Sequence, residues 1–290
     1  MGHSYRWAAG IVATGSALLA LACLDMDTAD TADRIERGLP LRAGYAIEAP
    51  FAYLDERGQV TGEAPEILRR ALRGAGIDGI EWIHADFGDL IHDLEVGRID
   101  VIAAGLFVTP DRAARVAFTR PTALVRTGLL VPADNPRRLR TLASIAADPE
   151  ARLAVIEGAV EARQAAAAGV PEQRIGAYPD ASSAVAAVQS GHAHAFALSA
   201  VSLRSILSGI DGHDLAVVTA PTSVTVTGEG NSGLPALAFR RDDKWLRDRV
   251  DGALAKFVGS RAHLDLVRPF GFGPDEITPI VKVAAPGKQP

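Results

Sequence analysis

Phe107 and Arg112 stand five residues apart in the stretch Ile102-Ala-Ala-Gly-Leu-Phe107-Val-Thr-Pro-Asp-Arg112. An apolar run that ends in glycine reads as a buried strand running out into a loop. Thr109-Pro-Asp111 then opens a turn or a helix start. A flat apolar face and a guanidinium fork therefore fall together at one strand end. The fork can make two parallel charge-assisted bonds to a carboxylate, which a lysine cannot match. The pair suits a small, flat, carboxylate-bearing molecule. Each residue also has an ordinary reading. Arg112 is then a solvated arginine at a helix start, as Arg115 and Arg120 nearby suggest, and Phe107 is a core residue.

The elements that must position these residues alternate along the chain. Residues 39–46 read as a strand, and Pro65 fits the first turn of a helix running to Leu72. Residues 80–84 read as a strand, 87–95 as a helix and 101–104 as a strand. After Pro121 an apolar strand covers residues 123–131, and the alternation restarts. Strands are expected at 153–156, 175–178, 193–198, 215–218 and 234–239. Helices are expected at 161–168, 181–189, 201–206, 242–258 and 260–267. Two rounds of strand and helix joined by apolar strands predict an α/β fold of two lobes, with the ligand cleft at the carboxyl ends of strands.

Composition sets the outer limits. The chain has 290 residues, a hydrophobic fraction of 48% and a net charge of -5. Its basic residues form no dense block, which argues against a nucleic-acid partner. His192 and His194 alternate, so on a strand they point to opposite faces and cannot chelate together. No Cys/His cluster has metal spacing, no serine sits in a nucleophile elbow, and no cofactor is implied. Gly228-Glu-Gly-Asn-Ser-Gly233 lacks the lysine and strand-to-helix context of a phosphate loop and reads as a loop.

The N-terminus reads as an export signal over residues 1–23. A short apolar stretch follows His3 and Arg6 and ends at Cys23, the one cysteine of the chain. Leu19-Ala-Leu-Ala22 before that cysteine resembles a bacterial lipobox, so a lipid anchor on Cys23 is expected, with plain cleavage as the rival reading. Residues 24–38 read as a flexible tether.

Several motifs resemble one family. They are Ala46-Ile-Glu-Ala-Pro-Phe51, Thr61-Gly-Glu-Ala-Pro-Glu66, Phe87-Gly-Asp-Leu-Ile91, Gly97-Arg-Ile-Asp-Val-Ile-Ala-Ala-Gly105 and Thr109-Pro-Asp-Arg112. Ala238-Phe-Arg-Arg-Asp-Asp243 and Gly271-Phe-Gly follow late. The chain resembles the solute-binding proteins of polar amino-acid ABC importers, most of all the ectoine and hydroxyectoine binders. That resemblance implies a two-lobed periplasmic-binding-protein fold of type II with two hinge crossovers. Lobe 1 would take residues 39–127 and 236–290, and lobe 2 residues 128–235. It also implies an exported, monomeric, non-enzymatic protein, periplasmic or anchored outside the membrane, that passes its ligand to an ABC permease.

By the same resemblance the ligand would meet Glu48, Phe51, Gly105, Phe107, Arg112, Ala159 and Val160. Arg112 would bind a carboxylate and Glu48 the cationic nitrogens, a surface glutamate being its ordinary reading. Phe51 and Phe107 would cover the two sides of a flat ring, core packing being the alternative for each. Gly158-Ala-Val160 lacks a hydroxyl that many members carry there, although the N–H groups of Ala159 and Val160 remain available. His194 stands where many amino-acid binders place an aspartate, which argues for a cyclic zwitterion over an ordinary α-amino acid. A polar or cationic amino acid is the alternative ligand, a sensor subunit the alternative role, and a dehydratase on the same fold a more distant one.

Overall fold

The protein is described here as a computed structural model covering residues 31–209, 214–219 and 232–277. The expected signal segment with Cys23, most of the 228–233 loop and residues 278–290 lie outside these. Thr31–Glu36 forms a short helix, α1. A tether was expected there. Instead Thr31 is buried, and its hydroxyl donates to Asp243 at 3.0 Å and to Asp100 at 3.3 Å. Asp100 also takes Arg42 Nη2 at 2.8 Å and Arg240 Nη2 at 2.9 Å. These partners lie far away in sequence, so composition alone does not disclose that this segment docks.

The first sheet contains β1 (Leu41–Tyr45), β4 (Ile80–His84), β5 (Val101–Ile102), β6 (Val116–Phe118) and β13 (Ala238–Arg240) in the order β4-β1-β5-β13-β6. β4, β1 and β5 run parallel, and β13 is antiparallel to both β5 and β6. A small hairpin, β2 (Tyr53–Leu54) with β3 (Val60–Thr61), leads into α2 (Glu63–Ala75). Ala64, Ile67, Leu68, Ala71, Leu72 and Ala75 fall on one face of α2 and are buried, the spacing of a helix laid on a core. Gly76 ends it in the left-handed conformation. Short helices α3 (Leu90–Glu95) and α4 (Pro110–Ala113) flank β5. Late in the chain α9 (Lys244–Leu254), α10 (Arg261–Val267) and α11 (Pro274–Ile277) return to this sheet's side, α9 and α10 packing on α2.

The second sheet contains β7 (Val125–Pro132), β8 (Leu153–Ile156), β9 (Ile175–Tyr178), β10 (Ala195–Ser199) and β11 (Leu215–Thr219) in the order β11-β7-β10-β8-β9. β10, β8 and β9 are parallel, while β7 runs against β10 and β11. Helices α5 (Leu142–Ala147), α6 (Glu161–Ala167), α7 (Ala181–Gln189) and α8 (Ala200–Ser208) cover its faces. β8 and β10 are buried along their whole length, as strands covered on both sides must be. The chain passes between the sheets twice, from β6 into β7 and from β12 (Ser232–Gly233) into β13. The passages run side by side: β12 pairs with the start of β7, and Thr122 N donates to Pro235 O at 2.8 Å. These are two mixed α/β lobes joined by two side-by-side passages, the arrangement expected from the sequence.

Candidate ligand-binding cleft

Strand ends do the positioning. Glu48 follows β1, Phe87 follows β4, Phe107 follows β5, Val160 follows β8 and Ser199 closes β10, all at carboxyl ends of parallel strands. Glu48 is held by a tight turn in which its N–H donates to Ala52 O at 2.8 Å and its carbonyl accepts from Phe51 N at 2.9 Å. The Phe107 loop is laced to the second passage between the lobes, with Val108 N on Leu234 O at 2.9 Å and Ala236 N on Leu106 O at 3.1 Å. Thr109 caps α4, accepting from the Arg112 N–H at 3.3 Å, with Pro110 in the first turn. That cap aims the Arg112 side chain across the cleft.

Glu48, Gly105, Phe107, Arg112, Ala159 and Val160 line one inner pocket of about 20 Å³. Phe87, Glu161, Leu198 and Ser199 complete its wall. A wider cavity of about 400 Å³ adjoins it at Glu48 and Phe87 and is lined by His84, Asp86, Asp180 and Ile206 among others. The lobes touch across the inner pocket. Arg112 Nη1 donates to Phe107 O at 2.9 Å within its own lobe, and Nη2 donates to Gly158 O of the other lobe at 2.8 Å. Ser202 Oγ donates to Glu48 Oε1 at 2.8 Å. At the rim Arg163 pairs with Asp111. Gly158 has a positive φ, and a Cβ there would lie 2.9 Å from Gly88 Cα, so the backbones of the two lobes meet at a pair of glycines.

The electrostatics follow from burial. Desolvation pushes the Glu48 carboxyl up to about 7, with the Ser202 hydroxyl and Arg112 drawing it partly back. Glu161, 2% exposed, is pushed up to about 8 by burial and then by the charge of Glu48, against its own N–H and Arg112. Arg112 is lowered to about 10, first by burial, then by Arg163, with Glu161 and Glu48 opposing. Two carboxyls from opposite lobes thus face one guanidinium in a dry space. The Arg112 Cζ also lies 5.7 Å from the Phe87 ring centroid, within cation–π range.

Four expectations need correction. Phe51 does not line the pocket: it is 1% exposed and packs edge-on to Phe107 at 6.1 Å and to Phe272 at 5.5 Å. Its ring fills the space a Cβ on Gly105 would take, so it props Phe107 from behind. The second aromatic in the wall is Phe87, which the sequence reading placed inside a helix. α3 starts only at Leu90, leaving Phe87 in the loop after β4. His194 lies at the other end of β10, where its Nδ1 accepts from Arg152 N at 3.0 Å. The β10 residue that reaches the pocket is Ser199, so the argument drawn from His194 against α-amino acids falls. The carboxylate of the second lobe comes instead from Glu161. Finally, the Ala159 N–H is already used, donating to Ile156 O at 3.1 Å.

Glu161 escaped the sequence reading because a glutamate opening a helix is commonplace. Its place just after the loop that follows β8 was the available signal. Phe87 carried the same signal, three residues past a strand end.

A profile of the bacterial extracellular solute-binding proteins, family 3, matches residues 41–268. The probable amino-acid ABC transporter periplasmic-binding protein y4tE of Sinorhizobium fredii is 29% identical over 275 residues, 94% of this chain and 90% of that protein. Among solved structures, EhuB in complex with hydroxyectoine superposes with a TM-score of 0.75 at 30% identity, covering 83% of this chain and 91% of that one. The holo form of ArgBP from T. maritima aligns with a TM-score of 0.68 at 21% identity over 83% of this chain and 100% of its own, a likeness of fold alone.

Proposed function

The chain belongs to the bacterial extracellular solute-binding proteins, family 3, and from that premise we propose that its cleft captures a small cyclic zwitterion, ectoine or hydroxyectoine first. At the coarser level it is the solute-binding component of an amino-acid ABC importer, a protein that binds a small ligand and serves a membrane permease, and not an enzyme. Among the described residues no helix is long and apolar enough to cross a membrane.

One observation carries the finer reading. Arg112 and Glu48 line the same pocket with the rings of Phe87 and Phe107. In this reading the guanidinium takes the ligand carboxylate, Glu48 takes the ring amidinium, and the two rings contact its flat faces. Val160 offers its main-chain N–H in place of the missing hydroxyl. The likeness to EhuB, whose structure holds hydroxyectoine, supports the same choice. The lobes, taken as residues 39–127 with 236–290 and residues 128–235, hinge at the paired passages and close on the ligand.

A second reading, a polar or cationic amino acid, is favoured by Glu161, which supplies a second carboxylate to the pocket. Calorimetry with ectoine, hydroxyectoine and a panel of amino acids separates the two. Micromolar binding of ordinary amino acids without binding of either ectoine would sink the first. Anchoring through a lipid on Cys23 belongs to the same proposal. Labelled fatty acid should enter the wild-type protein and not the Cys23→Ser variant, and a wild type without label leaves plain export.

A further inference from the structure

We propose that Glu161 is a specificity-determining residue of this cleft, one jaw of a two-carboxyl clamp with Glu48 that takes a ligand carrying a cationic nitrogen beyond its zwitterionic pair in exchange for a proton. The proposal rests on the reading that this cleft holds the ligand, but not on the choice of ectoine. Glu161 opens α6 in the second lobe and Glu48 follows β1 in the first, and both line the inner pocket. Glu161 is almost wholly buried, and the charge of Glu48 reaches it. The charged groups that face the pair are few. Arg112 stands opposite on α4, and Arg163 on α6 is turned to Asp111 at the rim. His84, Asp86 and Asp180 belong to the adjoining cavity. Ser202 and Ser199 contribute hydroxyls, without charge.

Charge arithmetic then decides which ligand fits. With Arg112 charged and a single proton on the carboxyl pair, the pocket is neutral. A zwitterion of zero net charge leaves it neutral, so it binds with the proton retained. A ligand of net charge +1 would leave a buried excess positive charge, which is costly in so dry a place. The proton therefore leaves for solvent as the ligand's extra cation settles between the two carboxylates, and the pocket is neutral again. Burial pushes both carboxyls upward, which puts this exchange within reach near neutral pH.

The test uses two probes on the whole protein, L-arginine with net charge +1 and hydroxyectoine with net charge zero. Calorimetry in buffers of different ionisation enthalpy counts the protons. Arginine should release about one proton near neutrality, its affinity rising about tenfold per pH unit below the pair's midpoint. Hydroxyectoine binding, if it occurs, should stay flat over the same range. Glu161→Gln should abolish the arginine slope and cut the preference for arginine by tenfold or more. An arginine affinity independent of pH, or an unchanged preference in Glu161→Gln, overturns the clamp. So does failure of arginine to bind at any pH. Hydroxyectoine binding without arginine binding leaves the ectoine reading standing and removes the clamp, and arginine binding with proton release but no ectoine binding does the reverse. Should Glu161→Gln not fold, carboxyl carbon NMR of the wild type decides. A glutamate that titrates near neutrality should drop to the ordinary range when arginine is added, and a titration that arginine leaves unmoved counts against the proposal.

Discussion

The Arg112 guanidinium already spends two donors on protein carbonyls, one on each side of the cleft. Three of its five N–H donors remain for a ligand carboxylate, so Arg112 can read both the ligand and the apposition of the lobes. Arg112→Ala should weaken binding of the true ligand by about 2–5 kcal/mol, because truncation leaves a desolvated carboxylate unpaired. Calorimetry checks it, and wild-type affinity in the variant would mean that the ligand sits elsewhere. The two phenylalanines should separate cleanly. Phe107 borders the pocket, so Phe107→Ala should cost on the order of 1–3 kcal/mol of affinity. Phe51 is core, so Phe51→Ala should instead cost about 3–5 kcal/mol of stability. Thermal unfolding of the two variants beside their binding isotherms would show whether the roles divide that way.

At the scale of elements, the loop from β8 into α6 brings Gly158 against Gly88 of the opposite lobe. Gly158 has φ 74°, where a side chain is strained, and a Cβ would meet backbone rather than a side chain able to swing away. Gly158→Ala should hold the lobes apart and weaken ligand binding while leaving each sheet folded. Small-angle scattering with saturating ligand should show compaction in the wild type and less of it in the variant. Equal compaction in both would remove this contact from the closing mechanism.

At the scale of the molecule, several buried titratable groups couple stability to pH. Glu63 is 0% exposed, and burial pushes its carboxyl up to about 7, the Thr122 hydroxyl offsetting only part of that. Glu48 and Glu161 move the same way. A carboxyl with a raised folded value binds its proton more tightly when folded, so its contribution is complete below the unfolded value near 4.5 and is lost as pH rises through about 7 to 8. Burial holds His263 down to about 4, with the opposite sign: its contribution is present above the ordinary histidine value and lost as pH falls toward 4. Three carboxyls outweigh one histidine in the window between. The ligand-free protein should therefore melt higher near pH 6 than near pH 8.5. Glu63→Gln should stabilise it at pH 8.5 by up to about 3 kcal/mol and at pH 5.5 by only about 1 kcal/mol. A melting temperature of Glu63→Gln that tracks the wild type at both pH values would exclude Glu63 from this coupling.

Local pattern made much of this protein legible in its sequence. The alternation of strand and helix, the apolar face of α2 and the glycine after it depend on residues a few positions apart, and so does the placing of Glu48, Phe107 and Val160 past strand ends and of Arg112 in the short helix after Thr109. Which way a side chain faces once it is there depends on what arrives from elsewhere. Phe51 became core because Gly105 and Phe272 close around it, more than 50 and 200 positions away. Phe87 entered the wall because α3 starts three residues later than its apolar pattern suggested. His194 fell at the wrong end of β10, a matter of strand direction within a sheet that periodicity does not encode. Thr31 docked because Asp100 and Asp243 meet it. Glu161 looks like any helix-opening glutamate until two lobes bury it beside Glu48, since desolvation sums contacts from the whole fold and no short stretch of sequence carries that sum.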